Sequence, residues 1–167
     1  MEYLVHNLVK NLKTHELRPL IYAVPLIKLR DMCDRSHNLQ QIRPNISSAK
    51  VAPEMSQDEQ FQNKTLRPII KLQNPLLVAA FQNYIAKHKN RYYELCIENR
   101  FGYIENAIQK DIKFRNSLKG MIIGHFTVEE YKIYILNSSN LNKRMMNIVI
   151  ARLKNQIQLF DVEVLVQ

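Results

Sequence analysis

The stretch 74-NPLLVAAFQNYIAKHKNRYYELCIENRFGYIENAIQKDI-112 decides the fold. Within it Leu77, Phe81, Tyr84, Ile85, His88, Tyr92, Leu95, Cys96, Asn99, Tyr103, Ile104, Ala107 and Ile108 recur at three- and four-residue steps. Such spacing draws one mostly apolar stripe along a helix. Asn74 stands where an N-cap belongs, and Pro75 takes the first helical position, where its missing N–H costs nothing. Unbroken, the helix would run roughly 35 to 40 residues, or about 55 Å. Lys87, Lys89, Arg91, Glu94, Glu98, Glu105 and Lys110 fall on the opposite side, a solvated or partner-facing surface. Gly102 costs a helix about 1 kcal/mol relative to Ala and marks the expected site of a bend or a close crossing. The stretch reads as a spine.

Toward the N-terminus, Leu4, Val5, Leu8, Val9 and Leu12 form the stripe of a first helix over Glu2 to Leu17, ended by Pro19. A second helix is expected from about Pro25 to Leu39, burying Leu26, Leu29, Met32 and Cys33. Residues 41–64 change character. Pro44, Ser47, Ser48, Pro53 and the polar run Gln57-Asp58-Glu59-Gln60 predict a flexible loop. Beyond the spine, Lys113 to Gly124 is a short helix or a tight apolar turn. Thr127 precedes Glu130 by three residues, the capping-box pattern of a new helix. Asn137-Ser138-Ser139-Asn140 kinks or breaks that helix before Leu141, Met145, Ile148 and Val149 resume the spacing. In Leu159 to Val166 the period becomes two: Phe160, Val162, Val164 and Val166 share one face, as in a strand that seeks a partner.

The chain has 167 residues, 46% of them hydrophobic and only three of them glycine, enough for a real core and few tight turns. Its net charge of +9 makes a polyanion or an acidic protein a reasonable partner, although no run of five cations occurs. Two cysteines, Cys33 and Cys96, give no disulfide framework and fit a reducing, intracellular compartment. No secretory pattern and no apolar run near about 18 residues is present, so no membrane span is expected.

Little in the residues speaks for catalysis. Cys33 and His37 are four apart, but no second pair completes a metal site. Glu129 and Glu130 are explained by capping, and Cys96 belongs to the apolar stripe rather than beside a base. Neither nucleotide-binding glycine pattern occurs, and Gly120-x-x-x-Gly124 is too short and too apolar to cradle phosphate. No enzyme, cofactor or metal is expected. The chemistry that remains is cationic. Lys87, Lys89 and Arg91, with Tyr92 and Tyr93, provide charge and rings for a phosphate backbone and bases. Lys113, Arg115, Lys119, Lys143, Arg144, Arg152 and Lys154 converge only if the late helices pack antiparallel.

The order of parts resembles the GINS family of replisome scaffold subunits, most nearly its Psf-one type. Lys89-Asn90-Arg91 with Tyr92-Tyr93 looks like the basic turn at the head of that family's central helix, and Arg100 falls where the helix carries another arginine. His125-Phe126-Thr127-Val128-Glu129-Glu130 resembles its capped acidic helix start, and Leu159 to Val166 the first strand of its β domain. The resemblance implies a nuclear, non-enzymatic subunit whose partners are the other GINS subunits and the replicative helicase.

The sequence thus predicts a mostly α protein: a multi-helix bundle around one long central helix over residues 1–158, then a short C-terminal β-strand at 159–167. Its expected function is that of a scaffold subunit in a hetero-oligomer, with Phe160, Val162, Val164 and Val166 as the interface strand. The alternative is a basic helical protein of viral, phage or ribosomal association that contacts DNA or RNA.

Overall fold

A computed structural model describes residues 35–49 and 51–160. The expected first helix, Cys33, Val162, Val164 and Val166 lie outside the described residues. The chain divides into two compact units, Met1–Gln41 and Ile42–Gln167. The described part of the first unit, residues 35–41, is helical, where the second helix is expected to reach Leu39; the rest of that expected helix lies outside the described residues.

The second unit is all helix and turn among its described residues. Its helices are α1 (Gln57–Phe61), α2 (Arg67–Leu72), α3 (Asn74–Lys87), α4 (Ile97–Lys110), α5 (Ile112–Ile123), α6 (Val128–Leu136) and α7 (Ser138–Lys154). A π-turn, Gln62–Leu66, joins α1 to α2, and 3-10 turns occupy Arg91–Glu94 and Ile157–Phe160. The protein is mostly α, as its periodicity predicts.

The spine is not one rod. His88 leaves the helical region, and Lys89 and Asn90 follow with φ of 59° and 58°. Two left-handed residues that are not glycine cost energy, most of it at Lys89, since Asn tolerates this region. The fold-back offsets that cost by bringing Tyr92 into the core, fully buried. Its ring lies 5.8 Å from Phe81, 5.6 Å from Tyr103 and 6.1 Å from Phe160, all edge-on. A straight helix of about 55 Å has no way to bring these rings to one place. The stretch ends at Asp111, one residue from its expected limit, where the Asp111 carboxylate accepts the Phe114 N–H at 3.0 Å and caps α5. Gly102, the expected bend, sits inside α4 with nothing within 4 Å of where a Cβ would stand. Asn74 is not the cap of α3 either: Gln73 holds that position without a side-chain bond, and Asn74 and Pro75 are its first two residues.

The helix at the centre is α7. Its 17 residues, about 25 Å long, touch the π-turn and α2 through α6. Leu141, Met145, Met146, Val149, Ile150 and Leu153 are buried along it. Burying six such side chains contributes on the order of 10 kcal/mol, well beyond the ~1 kcal/mol of any single cap. Asn137, with φ −142°, separates α7 from α6 where the polar run predicts a break.

The segment read as a flexible loop is partly ordered helix. Ser56 and Glu59 form a reciprocal capping box that starts α1, so residues 57–64 are helical and, among the described residues of the segment, only 42–49 and 51–56 lack regular structure. Arg43 ties that remainder down through the carboxylate of Glu130. The expected strand fails at its start, because Leu159 and Phe160 close the last 3-10 turn. Phe160 faces the core, 4.9 Å from Phe81.

Candidate nucleic-acid interface

Helices α4, α5 and α7 enclose a groove of about 500 Å³. Arg115 and Lys119, one helical turn apart on α5, meet Lys143 of α7 across it. Ile108, Met146 and Ile150 form its floor, and Gln109, Ser139, Asn142 and Asn147 supply neutral hydrogen-bonding groups. No carboxylate lines it. Arg115 is oriented by donating from Nη1 to the Gln109 carbonyl at 3.1 Å. Three like charges over an apolar floor repel one another, and an anion laid among them relieves that repulsion.

A second basic region follows the broken spine. Lys87, Lys89, Arg91 and Lys110 line a hollow of about 680 Å³ together with Tyr84, His88, Tyr103, Asn106 and Asp111. Lys113 lies in an adjoining hollow of about 580 Å³ floored by Phe114 and Met121. Burial, then the charge of Asp111, raises the Tyr84 phenol above its ordinary value. Burial also raises Tyr103, although the Arg91 cation pulls the other way. Both rings stay neutral at physiological pH and suit stacking.

Three of the other expected cations, Arg100, Arg144 and Lys154, are engaged within the fold. Arg100 donates from Nε to the Leu95 carbonyl at 3.0 Å and lies 5.1 Å over the Tyr92 ring, locking the turn before α4. Arg144 bonds Gln62 Oε1 at 3.0 Å and pins the π-turn to α7. Lys154 pairs with Glu105 of α4. Arg152 is half-buried on α7, away from the groove's lining. Cys96, expected in the core, is exposed at the head of α4.

Tyr84, His88 and Tyr103 line a basic hollow that the sequence does not reveal, because their spacing places all three on the apolar stripe. Lys110 is likewise missing from the expected site. Its only signal was its position seven residues after Tyr103, on the same helical face.

Among the described residues no three His, Cys, Asp or Glu side chains cluster to hold a metal. None of the described helices is long and apolar enough to cross a membrane. No family model, curated protein or solved structure matches the chain.

Proposed function

We propose that the protein binds nucleic acid, holding a phosphate backbone in the groove between α4, α5 and α7. The observation that carries this reading is the meeting of Arg115, Lys119 and Lys143 over an apolar floor with no carboxylate beside them. Such a site attracts any phosphate backbone, with affinity that comes from released counterions and falls as salt rises. The net charge of +9 steers a polyanion toward it. Fluorescence anisotropy of labelled DNA and RNA oligonucleotides, titrated across salt, tests the reading. Binding with a log–log salt slope of about −0.7 per phosphate contact on a single strand supports it, and no binding at about 50 mM salt removes it.

A second reading, an assembly subunit of the GINS kind among other protein subunits, has one observation in its favour. On α6 only Tyr134 is buried, while Val128, Tyr131, Ile133, Ile135 and Leu136 are exposed, Leu136 by 81%. A helix apolar on most sides and covered on one is suited to a protein partner. The long rod that motivates this reading is two α-helices joined by a 3-10 turn, which makes it the weaker of the two. Co-purification of stoichiometric partner subunits from the native source would support it. A monomer that stays alone at micromolar concentration would count against it.

A further inference from the structure

We infer that the trough between α3, α4 and α5 is a track for single-stranded nucleic acid, with His88 stacked on Tyr84 as the platform for one base. The inference rests on the nucleic-acid reading and adds to it a second subsite and a strand preference. The two hollows on this side of the molecule share Tyr84, Lys87, His88 and Asp111, so the Tyr84–His88 pair stands between them. The two rings are stacked, 4.0 Å between centroids and 29° between planes. His88 Nδ1–H donates to the Tyr84 carbonyl at 2.8 Å, which fixes both the ring's orientation and its tautomer. Phe114 backs Tyr84 at 4.4 Å. The platform is therefore set before any ligand arrives. Since His88 is exposed and spends one face on Tyr84, the other face is open to a base.

Charge lies on both sides of the platform. Lys89, Arg91 and Lys110 line one hollow and Lys113 the other, where phosphates flanking a stacked base would run. Asp111 is the one carboxylate lining either hollow. It repels phosphate but accepts hydrogen bonds from a base's amino groups, while its Oδ1 keeps the α5 cap. A ring platform flanked by cations favours a single strand, because the bases of a duplex are already stacked on one another.

Anisotropy titrations at one salt concentration, with oligo-dT, oligo-U and a duplex of equal length, test this. Single strands are expected to bind roughly tenfold more tightly than duplex, and His88→Ala to lose roughly tenfold on single strands only. The tighter of oligo-dT and oligo-U identifies the source as DNA or RNA. A 2-aminopurine placed in the strand is expected to be quenched by the wild type and not by His88→Ala. His88→Ala is a surface change, and an unaltered far-UV circular dichroism spectrum verifies its fold. Equal affinity for duplex and single strand, or a His88→Ala protein that binds like wild type, overturns the track. In that case binding that persists and weakens on Lys119→Glu leaves the α4–α5–α7 groove standing. Absence of binding to every probe removes both.

Discussion

Arg43 lays both terminal nitrogens of its guanidinium on the carboxylate of Glu130, 87 residues further along the chain. The same Nη2 also donates to the His125 carbonyl at 2.6 Å. Each oxygen of Glu130 takes two donors. Oε1 accepts Arg43 Nη1 and the Thr65 hydroxyl, and Oε2 accepts Arg43 Nη2 and the Thr127 N–H. One carboxylate thus joins the irregular segment before α1, the π-turn and the head of α6. It caps α6 and fastens the irregular segment and the π-turn to it.

The side chains of Arg43 and Glu130 are 8% and 14% exposed, so removing one leaves the other charge largely desolvated. Arg43→Ala is expected to cost about 3 kcal/mol, as for other paired charges with little access to water. The urea midpoint reads this directly, and proteolysis of residues 42–56 should speed up with it. A shift below about 0.5 kcal/mol, the range of ordinary surface changes, would show that the pair is decorative.

Glu130 also gives the fold an acid limit. Burial raises its carboxyl, but the Arg43 and Thr127 hydrogen bonds, the Arg43 charge and the Thr65 hydroxyl outweigh that and hold it below the ordinary 4.5. A carboxyl with a depressed folded value binds its proton more readily in the unfolded chain. The stability it confers is therefore fully present above the unfolded value and lost as pH falls from about 4.5 through the lower folded value. Chemical denaturation from pH 7 down to 3 is expected to show that loss. Glu130→Gln, less stable at neutral pH, should lose less over the same interval. An identical slope in both proteins would assign the acid sensitivity to other groups.

Gly102 offers the opposite change. It lies inside α4, has an ordinary negative φ, and leaves open space where a Cβ would stand. Gly102→Ala should stabilise the protein by about 0.5–1 kcal/mol, through helix propensity and a less disordered unfolded chain. Thermal unfolding measures it, and a lower Tm would mean that Gly102 serves a close approach not visible in α4's surroundings.

The α4–α5–α7 groove makes a quantitative demand. If Lys119 and Lys143 each neutralise a phosphate, Lys119→Glu and Lys143→Glu should weaken binding for every sequence alike. Each should also flatten the log–log salt slope by roughly one contact. Lys64→Glu, on the exposed side of the π-turn, is the control and should leave the slope unchanged. An equal loss from all three would mean that only net charge matters.

Helical character was legible because apolar spacing is a local signal. Leu77, Phe81, Ile85, Ile104 and Ile108 are buried as their spacing requires, and the Thr127–Glu130 box opens α6 as expected. The spine misled because Lys89-Asn90-Arg91 contains neither glycine nor proline. What breaks the helix there is the distant pull of Phe81, Tyr103 and Phe160 on Tyr92, which no local window records. Ser56–Glu59 was a readable cap, passed over because polar residues surround it. The convergence of Arg115 and Lys119 with Lys143 depends on how α5 and α7 pack, a tertiary fact.

Phe160 puts the difference between local pattern and tertiary packing to a test. Alternation with Val162, Val164 and Val166 assigns it to an interface strand, yet it is 1% exposed and meets Phe81 at 4.9 Å and Tyr92 at 6.1 Å. The turn that carries it is held by the Gln82 amide, which donates to the Leu159 carbonyl at 3.1 Å. As a core ring it should cost about 3–5 kcal/mol on Phe160→Ala, because its neighbours cannot fill the space it leaves. An interface residue awaiting a partner would cost the isolated chain almost nothing. Urea denaturation of the isolated protein separates the two, and Phe160→Leu, which keeps much of the apolar volume, should recover part of the loss. A midpoint unmoved by Phe160→Ala would return the residue to the surface and reopen the case for a strand.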